Sequence, residues 1–310
     1  MTAAGSDSEL VLPAAPAWFR FLPETGGSPR LGIVEPTAAG GPRYVDLGPV
    51  DPHALLIAGG LTAADLQVRA AGGAPVAADI IARARLLQPL PRPGKVLCLA
   101  KNYVAHAREF GAEAPPEPIF FNKLPDSLCG PGDPVVIPHW LDTRVDHEAE
   151  LALVLGFDDP EQRGRKDVAA GEALALVAGY TPLNDVTARK LQGQDREQRY
   201  PWLRAKALDT FCPFGPFVVP RESIDGSDLQ VTMRVNGEVR QSARTSAMVF
   251  SIEQALVAMS RVTTLRSGDL IAMGTPEGVS AVHEGDVMEV EVEGLGVLRN
   301  PVRKGEPPAS

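Results

Sequence analysis

Residues 145–156 constrain the fold most strongly, because acidic and apolar side chains alternate there before an apolar stretch begins: VDHEAELALVLG. Successive side chains of a β-strand point to opposite faces. A strand over this segment therefore places Asp146, Glu148 and Glu150 on one face. Its second half is apolar on both faces, which is typical of a strand inside a sheet. The segment predicts a buried strand that carries three carboxylates near one end.

Two interpretations of these carboxylates are open. Carboxylates at this spacing repel one another, and burying them without partners is costly. A divalent cation removes the conflict, since Mg²⁺ and Ca²⁺ prefer carboxylate oxygen as a ligand. The alternative is an edge strand whose acidic face lies in water. The segment alone does not decide between a metal site and a solvated face.

A further acid, Asp185, lies in the segment GYTPLNDV, where a strand is expected to meet a helix. Asp is a favoured N-cap, because its side chain accepts hydrogen bonds from the free N–H groups that begin a helix. The position therefore fits a helix cap. It equally fits a carboxylate that a second chain segment supplies to a metal site.

The segment 102–109 (NYVAHARE) follows a buried-type strand over 95–100 and predicts a helix capped by Asn102. His106 and Glu109 are three residues apart, so they share one face of this helix. A carboxylate beside an imidazole fixes its tautomer and raises its basicity, which suits the activation of water. The same spacing fits an ordinary surface ion pair.

Two other segments have a possible role in binding an anion. Lys206 lies among apolar neighbours in PWLRAKAL, where it could stabilise a developing oxyanion or extend its head into water. The segment 274–278 (GTPEG) follows a buried strand. It predicts a tight loop whose N–H groups and hydroxyl can bind an anion, although most such loops only turn the chain.

Composition excludes several classes of partner. The 310 residues carry 30 Lys and Arg against 39 Asp and Glu, a net charge of −9, which argues against nucleic acid and against anionic membranes. Three cysteines without a CxxC pair fit a reducing cytosol. No apolar run is long enough to span a bilayer, and residues 1–18 lack the pattern of a signal peptide. We therefore expect a cytoplasmic protein with no membrane and no nucleic-acid partner.

The proline-rich segment 88–94 (QPLPRPG) divides the chain, because proline fixes φ and removes a hydrogen-bond donor. We predict a small N-terminal α+β domain over residues 1–94 and a larger domain over residues 95–310. An Ala-rich helix is expected over 167–178, and Asn236–Gly237 predicts a two-residue hairpin turn. Strands outnumber helices without regular alternation, which indicates the α+β class.

Segments throughout the larger domain resemble, in the same order, motifs of the fumarylacetoacetate hydrolase family. The matching segments are Lys95–Glu109, Ile119–Lys123, Val145–Gly156, Gly179–Arg189, Trp202–Thr210, Val235–Gln241, Leu265–Val279 and Gly285–Gly296. Each segment alone is a weak match, whereas the ordered set is specific. The resemblance implies a catalytic domain with the mixed β-sandwich roll of this family, usually dimeric, beside a smaller N-terminal domain.

The resemblance also implies a role for individual residues. Glu148, Glu150 and Asp185 match the metal-binding carboxylates of the family. His106 and Glu109 match its water-activating pair, and Lys206 matches a lysine that faces the bound substrate. Asp146 then supports the site without binding the metal.

Four more residues are expected to bind substrate. Gln192 and Thr275 match family residues that contact it, and we add Lys123 and Arg189 from the matching segments. The sequence departs from the family pattern at Lys190, where an acid is common, and at Ala100, where a glycine is common. Both positions could alter the rim of the site.

The activity that the resemblance implies is hydrolysis of a C–C bond in an acylpyruvate or related diketo acid. A divalent cation, with Mg²⁺ expected before Mn²⁺ or Ca²⁺, polarises the substrate, and an enolate leaves. Decarboxylation or isomerisation of a 2-oxo or unsaturated dicarboxylic acid is the alternative at the same site. A non-catalytic metal- or metabolite-binding module is the alternative of another class, although it would not need both His106 and Glu109. The expected partners are the small-molecule substrate and a second copy of the chain in a homodimer.

Overall fold

The computed structural model describes residues 10–37, 41–109, 111 and 113–307. Its strands are β1 (Ala17–Leu22), β2 (Arg30–Glu35), β3 (Arg43–Gly48), β4 (Ala74–Val76), β5 (Arg85–Leu87), β6 (Val96–Ala100), β7 (Ile119–Lys123), β8 (Leu128–Cys129), β9 (Val135–Ile137), β10 (Val145–Asp146), β11 (Ala149–Leu155), β12 (Val177–Asn184), β13 (Thr187–Ala188), β14 (Cys212–Pro213), β15 (Phe217–Pro220), β16 (Gln230–Val235), β17 (Glu238–Arg244), β18 (Leu270–Ala272), β19 (Ala281–Val282), β20 (Val287–Val292) and β21 (Gly296–Lys304).

The α-helices are short. They are α1 (Pro52–Ile57), α2 (Ala63–Gly72), α3 (Ala78–Arg83), α4 (Val104–Glu109), α5 (Arg189–Gln198), α6 (Leu203–Lys206) and α7 (Ile252–Val262). Turns of 3₁₀-helix cover Pro125–Ser127, Ala170–Leu176, Arg221–Ser223 and Thr245–Ala247. The signal-peptide expectation concerns residues 1–18, of which 1–9 lie outside the described residues.

One sheet of 11 strands runs through the molecule in the order β4-β3-β2-β1-β15-β12-β11-β18-β6-β7, with β5 also paired to β1. Strands β18 and β6 are parallel, whereas β11 pairs antiparallel with both β12 and β18. A second sheet has the order β17-β16-β20-β21-β9 and also mixes both directions. This architecture confirms the expected α+β class with mixed sheets.

Strand β11 lies at the centre of the core. Leu151, Leu153 and Leu155 belong to a buried cluster that includes side chains of the five-stranded sheet, against which β11 packs. Ala152 and Val154, which point the other way, belong to a second buried cluster with residues of β6 and β18. Burial on both faces confirms the interpretation of this apolar stretch. It also anchors the preceding acids to a rigid element.

The N-terminal strands continue the large sheet. Trp18 of β1 pairs with Val218 of β15, and Phe19 pairs with Phe217. These residues are fully buried. Backbone pairing therefore crosses the domain boundary that we place at residue 94, and this boundary stays a prediction.

The sequence interpretation of residues 145–156 as one unbroken strand is wrong in one respect. Val145–Asp146 pairs with β13 and β19 in a separate three-stranded sheet, and β11 begins only at Ala149. His147 and Glu148 lie between the two strands. The break matters for the acids, because strict alternation no longer decides where their side chains point.

The helix expected over 167–178 is also wrong. A 3₁₀ turn covers Ala170–Leu176, and the chain then enters β12. Pairing of β12 with β11 and β15 in the sheet outweighs the helix preference of alanine, although this preference is the strongest of any residue. The Asn236–Gly237 hairpin is confirmed, since β16 and β17 pair across it and both turn residues have positive φ, 52° and 81°.

Candidate active site

The break between β10 and β11 directs the first metal candidate into the site. Glu148 N donates to Asn184 Oδ1 at 2.9 Å, and Asp185 N donates to Glu148 O at the same distance. These two hydrogen bonds hold the end of β12 against the start of β11. Glu148 and Asp185, which are far apart in sequence, are thereby fixed side by side.

Glu148, Glu150 and Asp185 form one compact cluster. Each offers a carboxylate oxygen within 4.8 Å of the others. All three are at least 96% buried, with exposed fractions of 4%, 1% and 1%. The helix-cap interpretation of Asp185 is wrong, because α5 begins four residues later and its N-cap is Ala188. The acid instead faces the other two carboxylates.

Two buried lysines neutralise part of this charge. Lys206 Nζ lies 2.8 Å from Glu148 Oε2 and 2.5 Å from Asp185 Oδ2. Burial alone would lower the pKa of Lys206, but the carboxylates of Asp185 and Glu148 raise it above the ordinary value. Lys123 Nζ lies 2.7 Å from Asp185 Oδ1. Both lysines are almost fully buried, so the snorkelling interpretation of Lys206 is wrong.

Arg189 links the cluster to Asp146. Its Nε donates to Asp146 Oδ2 at 2.7 Å, one Nη donates to Glu148, and the other donates to Gln192 Oε1 at 2.6 Å. Asp146 also accepts a hydrogen bond from Arg144 at 2.5 Å. Asp146 is therefore saturated by guanidinium groups. Because it lies outside the compact cluster, it fits a supporting role.

The residues present fit a divalent cation. Asp185 Oδ1 is buried and is paired with Lys123 Nζ, which also donates to the carbonyls of Val186 and Lys206. Among the residues that the structure describes, Glu150 forms no ion pair and accepts one hydrogen bond, from Gly274 N at 2.7 Å. Burial and then the charges of Asp185 and Glu148 raise the pKa of Glu150 well above its ordinary value. An all-oxygen donor set with spare lone pairs suits Mg²⁺, Mn²⁺ or Ca²⁺.

The histidine–glutamate pair is formed. His106 Nδ1 lies 3.2 Å from Glu109 Oε2, and the His106 side chain is 10% exposed. Burial lowers the pKa of His106, and the charges of Glu148 and Glu109 only partly oppose this. The imidazole is therefore neutral near pH 7, as a base must be.

Asn102 does not cap α4, which begins at Val104. Its side chain donates to Met273 O at 2.8 Å and accepts from Phe250 N at 2.8 Å. It therefore connects the start of the segment that carries His106 and Glu109 to the end of β18. The prediction that Asn102 caps this helix is wrong, because its side-chain amide forms hydrogen bonds with Met273 O and Phe250 N instead.

The loop Gly274–Gly278 connects the two halves of the site. Gly274 N donates to Glu150, and Gly278 N donates to Glu109 Oε1 at 3.3 Å. Gly274 has φ +92°, and a Cβ on it would lie 2.8 Å from Asn102 Cβ. Only glycine fits this close approach. The loop therefore contacts both a metal candidate, Glu150, and the His106–Glu109 pair.

A cleft of about 110 Å³ opens onto these groups. Its lining includes the expected residues His106, Glu148, Glu150, Asp185, Arg189, Gln192, Lys206 and Thr275. Leu99, Ala107, Phe121 and Trp202 form an apolar wall, and Lys101 and Arg196 add positive charge. Ala100 also lines the cleft, whereas Lys123 lies behind Asp185 and Glu109 lies behind His106.

Sequence reasoning missed the residues that orient the site from behind. His147 and Gln241 are fully buried and hydrogen-bonded to each other. Asn184 orients Glu148, as described above. Gln241 stands at the end of a matching segment and Asn184 precedes Asp185, so the motifs contained both residues without indicating a function for either.

No helix among the described residues has the length and apolar character that crossing a membrane requires.

The sequence of this chain is similar to sequences of known proteins. The family described as fumarylacetoacetate (FAA) hydrolase, C-terminal, matches residues 95–303. An uncharacterized protein of Pyrococcus abyssi is 46% identical over 211 residues, which make up 68% of this chain and 91% of that protein. The human mitochondrial oxaloacetate tautomerase FAHD2A is 42% identical over 224 residues, covering 70% of this chain and 68% of the relative.

Solved structures are similar over nearly the whole chain. A fumarylacetoacetate hydrolase of Exiguobacterium antarcticum is 34% identical, with a TM-score of 0.77 and coverage of 94% of this chain and 100% of that one. A maleylpyruvate hydrolase of Sphingobium sp. SYK-6, solved with manganese(II) and pyruvate, is 29% identical, with a TM-score of 0.74 and the same coverage.

A 2-hydroxyhepta-2,4-diene-1,7-dioate isomerase of Mycobacterium marinum is 32% identical, with a TM-score of 0.72 and coverage of 94% of this chain and 100% of that one. These structures confirm the expected fold. The relatives are named as hydrolases, isomerases and tautomerases, so the family comprises enzymes that act on small organic acids. By its matching segments, its fold and its sequence identity, the chain belongs to the fumarylacetoacetate hydrolase family.

Proposed function

We propose that this protein is a divalent-metal-dependent hydrolase that cleaves a C–C bond of an acylpyruvate or related diketo acid. One observation carries the proposal: three buried carboxylates from two chain segments and a His–Glu pair converge on one cleft. The maleylpyruvate hydrolase solved with manganese and pyruvate supports it, because that ligand is a 2-oxo acid.

The residues that would hold the cation are Glu148, Glu150 and Asp185. Bound there, a divalent cation would supply a Lewis acid that polarises the 2-oxo end of the substrate. Mg²⁺ is the first choice and Mn²⁺ or Ca²⁺ the alternatives, since all three accept a ligand set made of carboxylates. Lys123 holds Asp185 from behind, so we assign it to positioning this acid.

His106 is the proposed base. Nδ1 faces Glu109, so it carries the proton of the neutral imidazole, and Nε2 is the nitrogen that would accept a proton. Glu109 is itself held by Gly278 N. A water within reach of Nε2 would lose a proton to His106 as its oxygen attacks the distal carbonyl carbon of the substrate.

The reaction balances with water as the only co-substrate. The water oxygen bonds to the distal carbonyl carbon, the bond from this carbon to the methylene of the pyruvate part breaks, and its electron pair leaves as an enolate. The proton that His106 took from water passes to the methylene carbon and gives pyruvate, which restores the neutral imidazole, and the acyl part leaves as a carboxylic acid. The Lys206 ammonium, which donates to Glu148 and Asp185 at the same site, would stabilise the developing negative charge.

Gln192, Thr275 and Arg189 are the proposed substrate contacts. All three line the cleft. Arg189 and Gln192 are hydrogen-bonded to each other, so each limits the orientation of the other. The apolar wall at Phe121 and Trp202 suits the acyl end of the substrate.

Isomerisation or decarboxylation of a 2-oxo or unsaturated diacid is the second candidate. It is favoured by the names of two similar proteins, the oxaloacetate tautomerase and the dienedioate isomerase. The same cation and lysine would stabilise an enolate in those reactions, but water activation would matter less. A non-catalytic module is the weaker alternative, since binding alone needs no His106–Glu109 pair. A homodimer and a cytoplasmic location stay predictions.

A substrate panel tests the proposal. Purified protein with Mg²⁺ or Mn²⁺ is given acetylpyruvate, oxaloacetate and an unsaturated 2-oxo diacid, and pyruvate, CO₂ and diene absorbance are followed separately. We expect pyruvate and the acid from acetylpyruvate in equal amounts. Isomerisation or CO₂ release without hydrolysis would replace the hydrolase by the second candidate.

Two variants assign the roles. We expect Glu148→Ala to lose Mn²⁺ binding and turnover together. His106→Ala should keep Mn²⁺ binding and lose turnover, whereas His283→Ala, which alters an exposed histidine, should change neither. An active His106→Ala enzyme would remove the water-activation role.

A further inference from the structure

Gln241 connects the second sheet to the active site. It lies on β17, the edge strand of the five-stranded sheet, yet its side chain is 1% exposed. Its amide forms hydrogen bonds with His147, Ala149, Thr275 and Pro276. We propose that Gln241 is a positioning residue that holds Thr275 and the loop Gly274–Gly278 in the geometry needed to bind substrate.

Backbone groups determine the orientation of this amide. Ala149 N is a donor, so the atom 3.0 Å from it must be the oxygen of Gln241. Pro276 O is an acceptor, so the atom 2.8 Å from it must be the Gln241 nitrogen. Both partners have fixed roles, and a flipped amide would lose both bonds. The Gln241 Nε2–H groups therefore face Pro276 O and Thr275 Oγ1.

His147 locks the other side of the amide. Its Nδ1 lies 3.0 Å from Gln241 Oε1 and must carry a proton, so Nε2 of the neutral ring accepts from Ser280 Oγ at 2.8 Å. His147 is fully buried, and burial lowers its pKa. The chain of hydrogen bonds begins at Ser280 and ends at Thr275 and Pro276. Both ends lie in the segment 275–280, so this chain braces that segment against β17.

The loop Gly274–Gly278, most of which lies in the braced segment, contacts both a metal candidate and the His–Glu pair. Thr275 lines the cleft and its hydroxyl is held between Gln241 Nε2 at 2.8 Å and Ala149 O at 2.9 Å. The flanking glycines of the loop contact Glu150 and Glu109. Gln241 itself does not line the cleft, and in the described part of the chain its amide hydrogen bonds go to His147, Ala149, Thr275 and Pro276 and not to the three metal candidates. Its loss should therefore weaken binding of the organic acid and leave metal binding nearly unchanged.

The inference rests on the proposed function, because it needs a metal-loaded cleft that binds a 2-oxo acid. The probe is oxalate, a small dianion that chelates metals, added to Mn²⁺-loaded protein. Calorimetry gives the Mn²⁺ and oxalate affinities separately. The test variants are Gln241→Met, which removes all four hydrogen bonds, and Gln241→Glu, which keeps the acceptor side and removes the two donor bonds.

Asn300→Leu is the matched control. Asn300 is a buried amide that donates to two backbone carbonyls, Gly130 O at 2.8 Å and Asp133 O at 2.9 Å, and it does not line the cleft. It reports the effect of losing a buried amide elsewhere. We expect both Gln241 variants to bind oxalate about tenfold more weakly or worse, with Mn²⁺ affinity within about twofold of wild type. Asn300→Leu should bind both like wild type.

A double variant shows whether Gln241 acts through Thr275. If it does, Gln241→Met should add little to the loss caused by Thr275→Val, because the two residues form one interaction. Additive losses, or oxalate affinities of the Gln241 variants equal to that of Asn300→Leu, would overturn the inference while leaving the proposed function intact. Wild-type protein that binds Mn²⁺ but not oxalate would overturn both.

Discussion

His106 can act as a base only while its imidazole is neutral, and its burial sets the pH range. Burial lowers the pKa of His106 below 6.5, whereas the charges of Glu148 and Glu109 act in the raising direction. The value of kcat/KM should therefore be maximal near neutral pH and fall as the pH drops through this lowered pKa. A kcat/KM profile of the wild type with Mn²⁺ measures the position of this acidic limb.

Replacing Glu109 tests the same assignment. Glu109→Gln removes a charge that raises the pKa of His106, so the acidic limb should move to lower pH. The rate on the plateau should fall about tenfold to a hundredfold, because the imidazole loses the group that orients it. Glu113→Gln, at an exposed neighbouring position, is the control. A limb that moves to higher pH would contradict the assignment.

Lys206 should affect turnover and metal binding in opposite directions. Its ammonium contacts both Glu148 and Asp185, so it competes electrostatically with a divalent cation. Lys206→Met should bind Mn²⁺ at least as tightly as wild type, yet turn over about 10²–10³-fold more slowly. Calorimetry and steady-state kinetics measure the two effects, with Lys166→Met, at an exposed position, as the control. Loss of Mn²⁺ binding in Lys206→Met would contradict this account.

At the scale of elements, the hairpin β16–β17 carries Gln241. A substitution in its turn tests how backbone strain in this hairpin affects the free energy of unfolding. Gly237 has φ +81°, and a Cβ there would meet nothing within 4 Å. Gly237→Ala should lower the free energy of unfolding by about 1–2 kcal/mol through backbone strain. Gly171→Ala, in open space without positive φ, should not lower it. Urea unfolding measures both, and equal effects would show that backbone strain is not the cause.

Elements with strong local signals could be predicted from the sequence. The apolar half of β11 and the Asn236–Gly237 hairpin are examples, since periodicity and turn chemistry decide them locally. The break at His147–Glu148 could not be predicted, because it depends on pairing of β10 with β13 and β19. The α-helix expected over 167–178 is absent for a similar reason, as its last two residues, Val177 and Ala178, already belong to β12 of the large sheet.

The sequence could indicate which acids lie together in the candidate site, but it could not indicate how the site is arranged. The resemblance indicated Glu148, Glu150 and Asp185, and these three acids lie together. The support by Gln241 could not be anticipated, since it depends on a contact between two sheets. The location of Lys123 behind Asp185 likewise depends on how β7 packs, which no local pattern encodes.

At the scale of the whole molecule, the cation should stabilise the native state. The acids come from separate segments and are brought together only in the folded chain, so a cation that binds them favours folding. At a free Mn²⁺ concentration of 100 times Kd, the stabilisation is about 2.7 kcal/mol. Thermal unfolding should shift upward by a few degrees, reversibly with EDTA. Glu148→Ala should show no shift, and an equal shift in this variant would place the ion elsewhere.

The most direct test of the central claim is a crystal structure with Mn²⁺ and oxalate, with anomalous diffraction to locate the metal. We predict one anomalous peak bound by oxygens of Glu148, Glu150 and Asp185, with oxalate completing the coordination inside the cleft. Well-ordered crystals with no peak among these three carboxylates, or with Mn²⁺ bound only elsewhere, would contradict the claim that they hold a substrate-binding cation.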